Sequence, residues 1–238
     1  MNSSSYQIAA RMANAPRERM ETSANNMANH AVPGYRRRIS VIDPFMSHLR
    51  RSTEDINPSK NVDFAQGPLR PTGNPLDFGI NGEGFFVLQN NGDEVLTRNG
   101  QFMVSSKGEL ATVSGLSVVG ETGPIVLPGD LSLQNISVDS HGTIRSGETA
   151  IGKLKIVEVD DPHSLVCIGS TLFAPGKEPV RAATQSEVVH RSLESSNVST
   201  VEEMVGIVEA TRGFQTLQKM LTSQDQTEGK MIQAMSGK

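Results

Sequence analysis

Tryptophan is absent from this 238-residue chain, and two tyrosines and eight phenylalanines make up its whole aromatic content of 4%. Aromatic side chains dominate core burial, so a compact enzyme core of this length would be expected to carry more ring mass. A single cysteine, Cys167, excludes an intrachain disulfide and a thiolate zinc cluster. No apolar run approaches the eighteen residues of a membrane-spanning helix. No continuous apolar segment follows the first methionine, so no cleaved signal peptide is expected; the chain reads as cytosolic, or as exported by a route that does not use one.

The motifs of catalysis are missing too. His30, His48, His141, His163 and His190 stand apart, none with a second histidine three to five residues away. "DDPHS", Asp160 to Ser164, suits a turn better than a partial metal site. "GINGEGFF", Gly79 to Phe86, has the wrong glycine spacing for a dinucleotide loop, and β-like residues follow it where a helix N-terminus is needed. Cys167 lies in the apolar run "SLVCIGS" and reads as an inert buried thiol. Arg36 to Arg38 and Arg50-Arg51 lack interleaved stacking rings beyond Tyr35 and Phe45, so nucleic acid is not an expected partner. No catalytic residue, cofactor or metal ligand is therefore assigned, and the chain reads as a binding or structural protein, not an enzyme.

What is present differs between the ends and the middle. Residues 1–51 hold eight arginines against Glu18, Glu21 and Asp43, a balance of +5, and the remainder carries -9, recovering the net -4. Such polarity can orient like chains against one another, although a basic segment is more commonly just a solvated face. Near the N-terminus, Tyr6, Ala13, Met20 and Met27 recur every seven residues, predicting a helical seam with Pro16 set inside it as a kink. Near the C-terminus, Ser199 with Glu202 and Thr200 with Glu203 offer two overlapping capping boxes. A helix of over 30 residues should follow, striped by Val201, Val205 and Val208, then by Phe214, Leu217, Leu221 and Met231. Gly213 in its middle suggests close backbone approach.

Residues 67–190 read as β. Short apolar runs such as "GFFVLQ" and "EVLTR" alternate with glycines, three of which follow asparagine at Asn81-Gly82, Asn91-Gly92 and Asn99-Gly100. Asn-Gly is a strong hairpin signal, and strands at this spacing predict an antiparallel sandwich or barrel. The expected plan is α+β: long N- and C-terminal helices forming a coiled-coil domain (1–35 and 191–238), an extended connector (36–66) and a central all-β domain of short antiparallel strands (67–190).

One stretch resists that plan. "SANNMANHAVPGY" places Asn25, Asn26 and Asn29 at the end of a helix, although asparagine is a poor helix former. Buried in a helix–helix contact, they would fix register at a cost in stability; the plainer alternative is that they fray and cap a helix end.

Several stretches also resemble a known family. "SANNMANHAVPGYRRR", "QGPLRPTGNPLDFGINGEGFFVLQ" with "LTRNGQF", and "LESSNVSTVEEMVGIVEATRGFQTLQKM" occur in the order seen in the bacterial flagellar basal-body rod and hook family, which the chain resembles along almost its whole length. "RPTGNPLD", the short connector before it and "TRGFQTLQKM" are similar to subunits of the proximal rod. The resemblance implies a structural subunit whose terminal helices pair as a coiled coil and polymerise with other rod subunits into a hollow shaft. The shaft would cross the periplasm and transmit torque, with the β domain outside it. It also implies unfolded export through the flagellar type III apparatus, with no membrane insertion and no small-molecule substrate. The seam residues named above, from Tyr6 to Met231, and the three asparagines would then touch neighbouring subunits. The alternatives are a distal-rod or hook-type subunit of the same family, or a soluble β-domain binding module that dimerises through its helices.

Overall fold

The strand Phe85–Asn90 is apolar at successive positions because both of its faces are covered. Phe86 and Leu88 enter one core cluster with Phe78, Ile80, Phe102, Leu110 and Val118. Phe85 and Val87 enter a second with Leu96, Val157, Leu165 and Phe173. Each such side chain contributes about 1.5–3 kcal/mol on burial, so the two clusters dominate the energetics of this region. The few rings are concentrated here: Phe86 meets Phe102 edge-on at 5.3 Å, and Phe85 meets Phe173 at 6.0 Å.

These observations come from a computed structural model that describes residues 3–40, 62–129, 133–176 and 179–236, with side chains of the two helices described for residues 15–28, 200–223 and 226–227. Two compact units emerge, one holding both helices and the other comprising residues 29–37 and the β region up to Val198.

In the β unit every strand pairing among the described residues is antiparallel. The largest sheet runs in the order Val166–Cys167, Leu172–Ala174, Asp93–Thr97, Phe85–Asn90, Ser117–Gly120, Leu110–Thr112 and Phe102–Val104. Ile156–Val159 also pairs with Phe85–Asn90, and a smaller sheet joins Ile136–Val138, Thr143–Ser146 and Thr149–Lys153. Of the three Asn-Gly pairs, only Asn91-Gly92 makes the expected hairpin. Both residues take positive φ, 51° and 102°, and Asn90 faces Asp93 directly across the turn. Asn81-Gly82 follows a strand that pairs with distant Glu187–His190, and the carbonyl of Gly100 accepts from the Phe78 N–H. Long-range pairing overrode the local turn signal at both sites.

The helices are α1, Ser3–Ala28, and α2, Thr200–Ser236. They contain 26 and 37 residues, about a quarter of the chain. The expectation of an α+β protein built on a coiled-coil domain is overturned: the chain is mainly β, and its two separate helices do not form such a domain. The reason lies in the contact. A coiled coil needs apolar knobs at its a and d positions, whereas α1 and α2 meet through Ser23, Asn26, Glu203, Gly206 and Ala210. α1 runs through Pro16 without ending, and the Pro16 ring lies opposite Gly213. At the start of α2 the Glu202 N–H points to Ser199 Oγ at 3.5 Å, with Glu202 and Glu203 in the positive first turn. Of the expected connector, residues 41–61 lie outside the described residues; Arg36 and Val62, near its two ends, are buried.

Candidate functional site

The seam of the helix pair is built from small and polar groups. Contacts run from Asn26 against Glu203, through Ser23 against Gly206 and Met20 against Thr211, to Pro16 against Gly213, so the helices are antiparallel. At Gly206 a Cβ would come within 3.2 Å of Ser23 Oγ, so any larger residue must push that hydroxyl aside. Arg19 and Glu209 pair at 2.8 Å on the exposed flank, an interaction of small net worth.

Asn26 is the buried asparagine of the three. Its Nδ2 donates to the Arg38 carbonyl at 2.8 Å and to Glu203 Oε1 at 3.1 Å, while its Oδ1 accepts from the Arg38 N–H at 2.8 Å. One carboxamide thus reads both backbone groups of Arg38 and holds the first turn of α2. Asn25 is exposed, and Asn29 is half-buried just beyond α1. The asparagine at the centre of this contact serves the chain's own fold.

The other expected contact residues divide between two faces. Met20, Met27, Leu217 and Leu221 are half-buried. Tyr6 and Ala13 lie in α1 and Met231 in α2, with side chains outside the described set. Val201, Val205, Val208 and the intervening Met204 point away from the seam and are 50–72% exposed, and Phe214 is also exposed. Periodicity located this stripe, but the helix buries the opposite side: Glu203, Gly206 and Ala210 face α1 while the valines face outward.

The β unit also holds a buried ion cluster. Glu194 Oε1 accepts from Arg36 Nη1 at 2.6 Å and from the Gly67 N–H at 2.9 Å, and Oε2 lies 3.4 Å from Arg98 Nη1. Arg36 also donates to the Ala65 carbonyl and Arg98 to the Gly82 carbonyl, and the Arg98 guanidinium sits 4.9 Å from the Phe85 ring centre. Burial lowers Arg98 to about 10, against the opposing pull of Glu194, so it stays a cation at neutral pH. These partners lie 158 and 96 residues from Glu194, and no local pattern could announce them. The one available hint was a charged residue inside each of two short β segments, "LTR" and "SLE".

The remaining candidates for chemistry serve as structure. Asp161 caps the short turn Pro162–Ser164 by accepting from the His163 N–H. Cys167 is half-buried on a strand beside the second core cluster. Among the described residues no three His, Cys, Asp or Glu side chains gather as a metal site, and no helix is long and apolar enough to cross a membrane.

Two family models match in chain order. "Flagellar hook protein FlgE/F/G D1 domain" covers residues 79–146, within the β unit. "Flagellar basal body rod FlgEFG protein C-terminal" covers residues 190–234, which include Glu194 and most of α2. The flagellar basal-body rod protein FlgF of Caulobacter vibrioides is 29% identical over 86% of both chains, and that of Salmonella typhimurium is 29% identical over 90% of this chain and 91% of its own. FlgG of Buchnera aphidicola subsp. Baizongia pistaciae is 27% identical over 91% and 92%. With domain models at both positions and likeness extending through nearly the whole length of its relatives, the chain is similar to the flagellar basal-body rod proteins, FlgF among them.

Proposed function

We propose that this chain serves as a structural subunit of the proximal part of the flagellar rod and meets neighbouring subunits through the outward face of α2. Likeness to rod proteins supports a structural basal-body protein, not an enzyme, that assembles with other rod subunits. The observation that carries the contact is the exposed stripe of Val201, Met204, Val205 and Val208, opposite the residues that pack on α1. Such a stripe on a helix already packed on its other side is surface left for a partner. The half-buried Met20, Met27, Asn29, Leu217 and Leu221, together with Tyr6, Ala13, Asn25, Phe214 and Met231, complete the proposed contact set, from which the internally bonded Asn26 is dropped. Torque transmission across the periplasm and export through the flagellar type III apparatus, without a cleaved leader, belong to the same proposal and rest on the family.

The proximal position is supported by alignment length. Matches to the Caulobacter and Salmonella FlgF proteins run over 225 and 232 residues, whereas the FlgG match runs over 248, more than the chain's own 238. FlgG likeness nonetheless sustains a second reading, a distal-rod subunit. Quantitative mass spectrometry of purified hook–basal bodies separates them. A few copies beside a more abundant related subunit supports the proximal position. Abundance equal to the main rod or hook protein supports the second reading, and absence from the particle overturns both. Val205→Asp should leave the chain folded yet deplete it from those particles; wild-type incorporation would refute the proposed face.

A further inference from the structure

We infer that residues 34–37, the first segment beyond α1, form a strap of the β unit fastened by Glu194, and that Arg98 is the reserve counter-ion that lets the β unit stand with the strap undone. The strap is bound along its length. The Gly34 N–H donates to the Glu194 carbonyl at 2.8 Å, and Arg36 Nη1 to the Glu194 carboxylate at 2.6 Å. The Arg37 N–H donates to Asn197 Oδ1 at 2.7 Å, and the Arg37 carbonyl accepts from the Asp63 N–H at 2.8 Å. Asn197 Nδ2 in turn reaches the carbonyls of Asp63 and Ala65. Tyr35 and Arg36 are each 1% exposed, the burial of core residues and not of a connector. Gly34 has φ +68°, and a Cβ there would overlap the Arg98 backbone at 2.4 Å, so the strap lies directly on the segment that carries Arg98.

Charge counting then assigns the roles. Two buried guanidiniums share one buried carboxylate. Among the described residues Arg36 Nε and Nη2 and Arg98 Nε are buried without an acceptor, so the cluster offers more N–H donors than its acceptors take up. The carboxylate favours the strap: 2.6 Å to Arg36 against 3.4 Å to Arg98. Without Arg36, Glu194 and Arg98 form a neutral pair; without Glu194, two like charges remain buried. The strap is therefore the dispensable member and Glu194 the indispensable one. The segments leading out of α1 and into α2 are tied to each other at Glu194 and at Asn197.

Native-state amide hydrogen exchange on the full-length chain, compared between wild type, Arg36→Met and Glu194→Met, tests this. Arg36→Met should speed exchange at Gly34, Arg37 and Asp63 together by at least about tenfold, the scale of one charge-assisted bond, while strand Phe85–Asn90 keeps its protection. Glu194→Met should raise exchange throughout the β unit. Equal acceleration of strap and central strand in Arg36→Met would overturn the inference, as would an unmoved strap. If Glu194→Met does not fold, Asn197→Ala leaves the charges intact and still decides: release of Arg37 and Asp63 with Gly34 still protected supports separate fastening at Glu194, and release of all three refutes it.

Discussion

The β unit and the helix pair are stabilised by opposite means. Six of the eight phenylalanines, Phe64, Phe78, Phe85, Phe86, Phe102 and Phe173, lie in the β unit, and five of them are buried there. It also encloses its own charges. The helix pair buries Ser23, Asn26, Glu203 and Gly206 and turns its valines outward. A region that keeps its apolar side chains inside has a core of its own; one that exposes them leaves apolar surface open to a partner. The scarcity of rings that counted against an enzyme is thus not uniform: the β unit is adequately supplied and the helices are not.

Substitutions can break or sharpen that contrast. The largest effect is expected from Phe86→Ala. Phe86 is fully buried between the strands that organise the larger cluster, and its loss should cost about 3–5 kcal/mol in urea melts of the full chain. The contrast predicts that helical circular dichroism falls with the β unit only to the extent that the two units unfold together. Asn26→Ala comes next. It removes three hydrogen bonds, two to the backbone of Arg38 and one to Glu203, so a loss of about 1–3 kcal/mol is expected, read as earlier melting of the helical signal while near-ultraviolet phenylalanine bands persist. Gly206→Leu should force the seam apart at Ser23, and overpacking of this kind costs about 1–3 kcal/mol. An unchanged helical melt in that variant would mean that α1 and α2 are not held at this contact. Val205→Asp should shift stability by less than about 0.5 kcal/mol, because its side chain is exposed; a clear loss in the isolated chain would show that the outward face is covered within one molecule.

The smallest effect concerns pH. Partial burial pushes the Asp139 carboxyl up, but N–H donors from Thr143 and His141 outweigh it and hold the group below its ordinary 3.8. A lowered carboxyl stabilises the fold above its unfolded value and loses that contribution as pH falls through the lowered folded value. Melts between pH 5 and about pH 2 should therefore show a slightly steeper acid decline in wild type than in Asp139→Asn. Parallel curves would remove Asp139 as a contributor.

The amount legible in advance differed by element. "GFFVLQ" announced a strand because β-rich apolar runs bounded by glycine have few other solutions, and Asn91-Gly92 announced its turn because local φ preference and strand register agreed there. Asn81-Gly82 and Asn99-Gly100 carried the same local signal and made no hairpin, since pairing with Glu187–His190 and Phe78 offered more burial than a local turn. The start of α2 was legible from Ser199, whereas α1 ends at Ala28, ahead of the Pro33-Gly34 stop that the sequence suggests. The face that each helix buries was not, because a stripe of valines fits an inward or an outward surface equally well until the partner helix is placed.

The sequence by itself determined local elements such as the strand at Phe85–Asn90 with its Asn91-Gly92 turn and, through three ordered motifs, the likeness to rod proteins. Those properties depend on neighbours within a few residues or on recognisable strings. Tertiary structure alone decided that the helices meet through glycine, serine and asparagine instead of a coiled-coil seam. It also selected Asn26 from three similar asparagines, and brought Arg36, Arg98 and Glu194 from far-separated positions to one buried point. Burial and charge pairing are properties of space, and no local pattern in the order of residues announces which distant side chains will share it.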